Sequence, residues 1–454
     1  MGPELLVRLC RPFDPRAIVR TDFRRLATAL GVTIVCASAL ATEQAGTKDR
    51  FPEWLQQLDG HGLLVSVDDV GDVVGITAGQ VVNDELLAKF ASLPSLRVLH
   101  IEVTDRVTPD GLLHLGKMTS LTRLTLYNVN ADGKGLGDEA IVSVMGLKGL
   151  VDLKVSECGT TDVGVRCLEG MPQLRRLNLQ QEGRLTDKAI VSIGKLTELR
   201  HLDLSSYVAT EAYGRMQFSA EALRRLTTLK QLESLYLVGQ PVPPDAIVFK
   251  RLKSLSLGGD AIDDACAARV AECHDLTSLE LFYTGVTDAG LKQIAELPRL
   301  SHLDLDSHVV TDDGIAHLKR LRGLQTLSLR ASRLTEETLK HLTEVNALTR
   351  LELHGSGQPG NVRGERLPLS DMARLKALPN LHTLSLTNFD SSKGYRELGA
   401  ISQLKVLKLS FSNINEGDVR ALREALPDTK IYALGSSLLG FVGNSIPPNW
   451  APTK

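Results

Sequence analysis

One frame of residues, Leu-x-x-Leu-x-Leu with Ile or Val sometimes in the last place, recurs thirteen times between Leu96 and Leu409. Its first leucines are Leu96, Leu121, Leu150, Leu174, Leu199, Leu232, Leu252, Leu276, Leu300, Leu324, Leu348, Leu381 and Leu404, most often 24 residues apart. Self-similarity at such a period means that one supersecondary unit is stacked on copies of itself, each covering apolar surface on the one before. A length of 454 residues would otherwise suggest about three globular domains. A stack has no such limit, because its core extends with every added unit.

The stretch DLTSLELFYTGVTDAGLKQIAELPRL, from Asp275, shows what the unit is. Leu279 and Leu281 alternate with Ser278, Glu280 and Phe282, which predicts a short strand with its leucines on one face. Leu291, Ile294 and Leu297 then fall three apart, forming one stripe of a helix. Either Thr287 or Asp288 can cap that helix by accepting from a free N–H of its first turn. Thr186-Asp187 and Thr311-Asp312 repeat the signature, and Thr161-Asp162 and Thr335-Glu336 are variants. The fold class is therefore α/β: a solenoid of about thirteen units with a parallel sheet and an outer layer of helices. Strands in such a sheet lie about 4.8 Å apart. Helices are wider, so the sheet is expected on the concave face and the helices on the convex face.

Over residues 70–434 the chain resembles the leucine-rich repeat family, on the thirteen frames and the helices that open Thr-Asp-x-Gly-Leu. Its units look like those of the cysteine-containing subclass, LxxLxLxxCxx(I/V)TDxGLxxLxxL, in a bacterial type without an F-box. Only Cys158 stands at the cysteine position, which elsewhere holds residues such as Thr104, Val129, Glu182, Gln240, Thr284 and Ser332. The usual asparagine or cysteine ladder is absent, and the turns must be satisfied some other way. The resemblance implies a horseshoe that binds partners. No F-box-like helical module precedes residue 70, so the ubiquitin-ligase role of F-box relatives is not carried over. A substrate-recruiting subunit of an intracellular ubiquitin-ligase-like complex is the alternative function.

Bulk properties remove other classes. The formal net charge is −2, where a general nucleic-acid binder shows a clearly basic face. Aromatic residues make up 4%, too few for base-stacking platforms. The cysteines Cys10, Cys36, Cys158, Cys167, Cys266 and Cys273 form neither a CxxC pair nor a zinc spacing, and read as core thiols. No nucleophile elbow, dinucleotide fingerprint or metal-ligand helix occurs. The chain reads as a non-enzyme without a cofactor or metal.

Four segments follow. Residues 1–41 read as a leader: arginines at 8, 11, 16, 20, 24 and 25 precede an uncharged run at 26–41. That run is short for a spanning helix, which needs about 20 residues, and suits a signal-peptide core or a membrane anchor, with Ala39-x-Ala41 as a cleavage site. This places the chain outside the cell or at a membrane. A helix packed on the solenoid, in a cytoplasmic chain, is the alternative. Residues 42–95 form the N-terminal cap, with a short helix turning Trp54, Leu55 and Leu58 inward and two strands in LLVSVDDVGDVVGIT. Residues 96–434 are the solenoid, closed by ALREALPDTKIYAL. Residues 435–454 are a loose tail.

A protein or peptide partner is expected on the concave face. The strand positions flanking Leu-x-Leu form columns there. Early strands lean basic through Arg123, Lys154 and Arg176. Central strands lean acidic through Asp203, Glu280, Asp304, Asp306 and Glu352. His201, His302, His354, Arg330 and Arg350 lie among them, with aromatic anchors at Tyr127, Tyr236, Phe282 and Tyr283. Charges around aromatic anchors are what a binding surface uses. Residues 131–137, 207–218 and 355–367 exceed the repeat length and should project from one rim. The middle insertion carries Tyr207, Tyr213, Met216 and Phe218, more large apolar groups than a free loop usually exposes.

Overall fold

A computed structural model describes residues 33–36, 52–56, 63–129, 135–206, 216–331, 335–355, 369–387, 389, 394–410 and 414–434. The chain divides into two compact units, residues 1–174 and 175–454.

The first unit contains β1 (Thr33–Cys36), β2 (Leu63–Val67), β3 (Val73–Ala78), β4 (Val98–Val103), β5 (Arg123–Asn128) and β6 (Asp152–Ser156). β1, β2 and β3 pair antiparallel, and β3 to β6 pair in parallel. The cap thus contains the two strands expected in LLVSVDDVGDVVGIT. In the short helix Glu53–Gln56, Leu55 is buried, and the Trp54 ring lies 6.0 Å from that of Phe90. Leu58 lies outside the described residues. So does most of the apolar run at 26–41, of which Thr33–Cys36 is a strand. No helix among the described residues is long and apolar enough to cross a membrane.

The second unit contains β7 (Arg176–Asn178), β8 (His201–Asp203), β9 (Ser234–Leu237), β10 (Ser254–Gly258), β11 (Ser278–Thr284), β12 (His302–Ser307), β13 (Thr326–Ala331), β14 (Arg350–His354), β15 (Thr383–Thr387), β16 (Val406–Ser410) and β17 (Lys430–Leu434). Each pairs in parallel with the next. The thirteen frames supply β4 to β16. The closing segment, which lacks the frame, adds β17 in the same register. This is an α/β leucine-rich repeat solenoid.

The core follows the sequence pattern. Leu279, Leu281, Leu291, Ile294 and Leu297 are all at most 3% exposed, each contributing roughly 1.5–3 kcal/mol by leaving water. Not every unit has a full helix. The 20-residue unit from Leu232 to Leu252 has only the 3₁₀ turn Pro244–Ala246, and the unit after Leu348 has the 3₁₀ helix Leu369–Ala377.

The Thr-Asp-x-Gly-Leu motif proves to be a clasp between units. Thr287, not Asp288, caps its own helix, its Oγ1 accepting from Ala289 N. Asp288 reaches the next unit and accepts from Thr311 N at 2.8 Å and Thr311 Oγ1 at 2.7 Å. Asp264 does the same for Thr287 at 2.8 and 2.6 Å. In the first unit Asp84 holds Thr108 and Asp138 holds Thr161 in the same way. The glycine makes room for this carboxylate: a Cβ at Gly290 or Gly314 would collide with the aspartate of the preceding unit. Where the glycine is replaced by Thr338, the hydroxyl itself donates to Asp312.

The turns after the strands are satisfied by varied groups. Cys158 Sγ lies 3.4 Å from Ser156 O, Asn128 Nδ2 donates to Glu157 O at 2.8 Å, Ser307 Oγ donates to Val286 O at 3.0 Å, and Gln240 Nε2 donates to Leu204 O. Glu157, Gln181 and Tyr283 have positive φ of 59°, 60° and 51°, as do Gly239 and Gly259. All five stand seven residues after the first leucine of their frame. The chain must turn left-handed there, where glycine is the unstrained choice.

Candidate functional site

The face of the sheet turned away from the leucines carries the predicted columns, and pairing puts them in register. In the second unit Asp203, Tyr236, Ser256, Glu280, Asp304, Ser328 and Glu352 are successive partners across β8 to β14. Beside them run His302, Thr326 and Arg350 on one side and Asp306, Arg330 and His354 on the other. Register alone thus sets the Glu280 and Asp304 carboxyls on neighbouring strands, about 4.8 Å apart at the backbone.

Their surroundings differ sharply. Asp203 is fully engaged: its Oδ2 accepts from Asn178 Nδ2 at 2.9 Å and Gln180 Nε2 at 2.7 Å, and its Oδ1 from Ser205 N at 3.0 Å. Asp306 is nearly buried and ion-paired with Arg330 at 3.0 Å. Burial still raises its carboxyl, with Arg330 opposing. Among the described residues Glu280 and Asp304 have no ion pair. Burial pushes the Asp304 carboxyl up to about 6, eased by the Ser328 hydroxyl and the Arg330 charge and reinforced by Glu280 and Asp306. Burial also raises Glu280, eased by Ser256 and reinforced by Asp203. Two partly desolvated carboxyls with no ion pair of their own, Asp304 feeling Arg330 only at a distance, are what a cationic group would stabilise.

His354 and His302 lean toward the neutral form. Burial, then Arg330, lowers His354 to about 4, and burial, then Arg350, lowers His302. His201 Nδ1 lies 3.0 Å from Ser234 Oγ. Tyr236 is half-buried, its hydroxyl 3.5 Å from Ser254 Oγ. Burial raises its pKa, and Glu280 and Asp203 add to this. β11 has one residue more than β12 opposite Leu281 to Thr284. That bulge leaves Phe282 half-buried and holds Tyr283 at positive φ with 62% of its surface exposed. Tyr283 is thus an exposed aromatic held in a backbone conformation that costs energy. Arg176 is exposed, and Glu352 and Arg350 are half-buried on the same face.

In the first unit the basic character expected around Arg123 is largely neutralised, because Arg123 Nε pairs with Asp152 at 3.0 Å. Tyr127 is occupied too, its hydroxyl donating to Glu157 at 3.1 Å. Lys154 is half-buried. Burial, then Lys154, lowers the neighbouring His100 to about 4.

The rim-loop expectation fails in part. Met216 and Phe218 are 0% and 4% exposed. They are core residues ahead of the helix Ala220–Arg225, so the count of apolar groups in that insertion reflected packing. Tyr207 and Tyr213 lie outside the described residues, as do most of residues 131–137 and 355–367. Sequence reading named neither Ser234 nor Ser254, whose hydroxyls lie 3.0 Å from His201 Nδ1 and 3.5 Å from the Tyr236 hydroxyl. Between Asp203 and Glu280 the column holds Tyr236 and the buried Ser256.

No family model matches the chain, and no curated protein matches it. Solved structures do. An internalin from Listeria monocytogenes is 20% identical, covering 76% of this chain and 92% of its own, with a TM-score of 0.44. The plant peptide hormone receptor RGFR1, in complex with RGF2, is 15% identical, covering 79% and 54%, at 0.36. A leucine-rich repeat protein of Leptospira interrogans is 19% identical, covering 76% and 91%, at 0.35. All three are leucine-rich repeat proteins.

Proposed function

We propose that the chain is a non-catalytic interaction scaffold that binds a protein or peptide partner on the open sheet face of the second unit, through a basic segment. One observation carries this reading: Glu280 and Asp304 stand on adjacent strands, withdrawn from water, with no ion pair of their own. A lysine or arginine laid across them would gain two charge-assisted bonds, and Tyr236 and Tyr283 offer ring faces for a guanidinium. The test is fluorescence anisotropy with Lys/Arg-rich and Asp/Glu-rich peptide pools. Basic pools should bind, and Glu280→Gln with Asp304→Asn should weaken them at least tenfold. Equal binding of both pools, or no effect of the substitutions, would sink the reading.

Residues 26–41 read further as an export signal or membrane anchor, supported by the arginine-flanked uncharged run. β1 and a cleaved leader are exclusive fates for Thr33–Cys36. Sequencing the N-terminus of the native protein decides between them, since export predicts a start at Thr42.

A further inference from the structure

A second charged feature lies at the other end of the same strands. The corners ahead of β9, β10, β11 and β12 enclose a recess of about 270 Å³ whose wall includes Lys230, Glu233, Arg251, Lys253, Asp275 and Arg299. Its carboxylates are already used. Glu233 pairs with Lys253 at 3.3 Å and with Arg200 at 3.4 Å, and Asp275 pairs with Arg299 at 2.8 Å. Lys230 and Arg251 have no ion pair or side-chain hydrogen bond among the described residues, and both are exposed. The recess therefore carries a local excess of positive charge in a chain whose formal net charge is −2. It opens at the 20-residue unit, whose helical arm is reduced to the turn Pro244–Ala246.

We propose that this recess binds a tetrahedral dianion, a phosphate or sulfate group. The volume is below that of a drug-sized pocket, roughly 300–1,000 Å³, so it suits a headgroup rather than a whole ligand. Arg251 supplies a planar fork that matches two oxygens of such a group, and Lys230 supplies a point charge. Lys253 and Arg299, held in place by their carboxylates, close the sides. None of the residues lining the recess belongs to the acidic column, and the inference stands apart from the function proposed above.

Isothermal titration calorimetry of the full chain with inorganic phosphate, and separately with sulfate, at constant ionic strength tests it. Saturable binding of at least one anion is expected. It should weaken at least tenfold when Lys230→Gln and Arg251→Gln are combined, substitutions that break no ion pair. Lys292→Gln, on a helix away from the recess, should leave it unchanged. A preference for phosphate assigns the source to phosphoester groups, and a preference for sulfate to sulfoester groups. No saturable heat with either anion, or equal affinity in the double variant, would overturn the proposal.

Discussion

The clasp between units makes Gly290 a position where alanine, usually the better helix residue, should be costly. A Cβ there would stand 2.9 Å from Val286 Cγ1, 3.1 Å from Ala267 Cβ, and well inside contact distance of Asp264 Oδ1. The carboxylate cannot move away freely, because Thr287 N and Oγ1 hold it at 2.8 and 2.6 Å. Shifting it forfeits part of two bonds to a charged acceptor, each contributing roughly 1.5–3 kcal/mol, and overpacking adds about 1–3 kcal/mol. Alanine's helix preference offsets about 1 kcal/mol. Gly290→Ala should therefore destabilise the second unit by about 2 kcal/mol, read as a fall in the urea midpoint. Gly323→Ala is the control, since the nearest atom to its Cβ is 3.6 Å away, and should stay within about 0.5 kcal/mol. The mechanism is isolated by repeating Gly290→Ala in an Asp264→Ala background. With the carboxylate gone, the remaining strain is only against Val286 and Ala267, and the added cost should drop below half. Equal costs in both backgrounds would refute the reasoning, because they would mean that the glycine serves something other than the aspartate.

Asp304→Asn should raise stability at pH 7.5 by on the order of 1–2 kcal/mol. Its folded pKa of about 6 lies above the ordinary 3.8, so the penalty of the charge builds as pH rises from about 4 to 6, is complete above 6 and vanishes below about 4. Urea midpoints at pH 7.5 and 4.5 check this, and a gain no smaller at pH 4.5 would contradict it. Tyr283→Gly relieves a positive φ of 51° at an exposed side chain. Stability should hold or rise by up to about 1 kcal/mol while the affinity for a basic peptide falls. A loss of more than about 1 kcal/mol would show that Tyr283 is structural.

What the sequence made legible is what period alone decides. The alternation around Leu279 and Leu281 dictated strand, face and register together, because a slip of one residue would expose every leucine. The columns Asp203 to Glu352 followed without further information. What stayed hidden depends on contacts between units. Thr287 and Asp288 were equivalent as caps on paper, since both side chains accept hydrogen bonds. Only stacking shows that the threonine serves its own helix while the aspartate serves the next. Met216 and Phe218 were misassigned for the same reason, as a long insertion can return to the core before its helix begins.

The missing asparagine or cysteine ladder finds its explanation in the clasp. A ladder ties successive turns through one repeated side chain at one position. Here the repeated tie lies at the helix entrance, where Asp84, Asp138, Asp264 and Asp288 each hold both a backbone N–H and a hydroxyl of the next unit. The turns after the strands are then free to use whatever donor is at hand: a thiol at Cys158, an amide at Asn128 and Gln240, a hydroxyl at Ser307. That freedom extends to the adjoining left-handed positions, where Glu157, Gln181 and Tyr283 stand in a conformation that glycine adopts more cheaply. A fold whose regularity is secured on the helical side can vary the residues at the C-terminal ends of its strands. The second unit uses that latitude to hold an exposed tyrosine, Tyr283, at the end of the strand that carries Glu280.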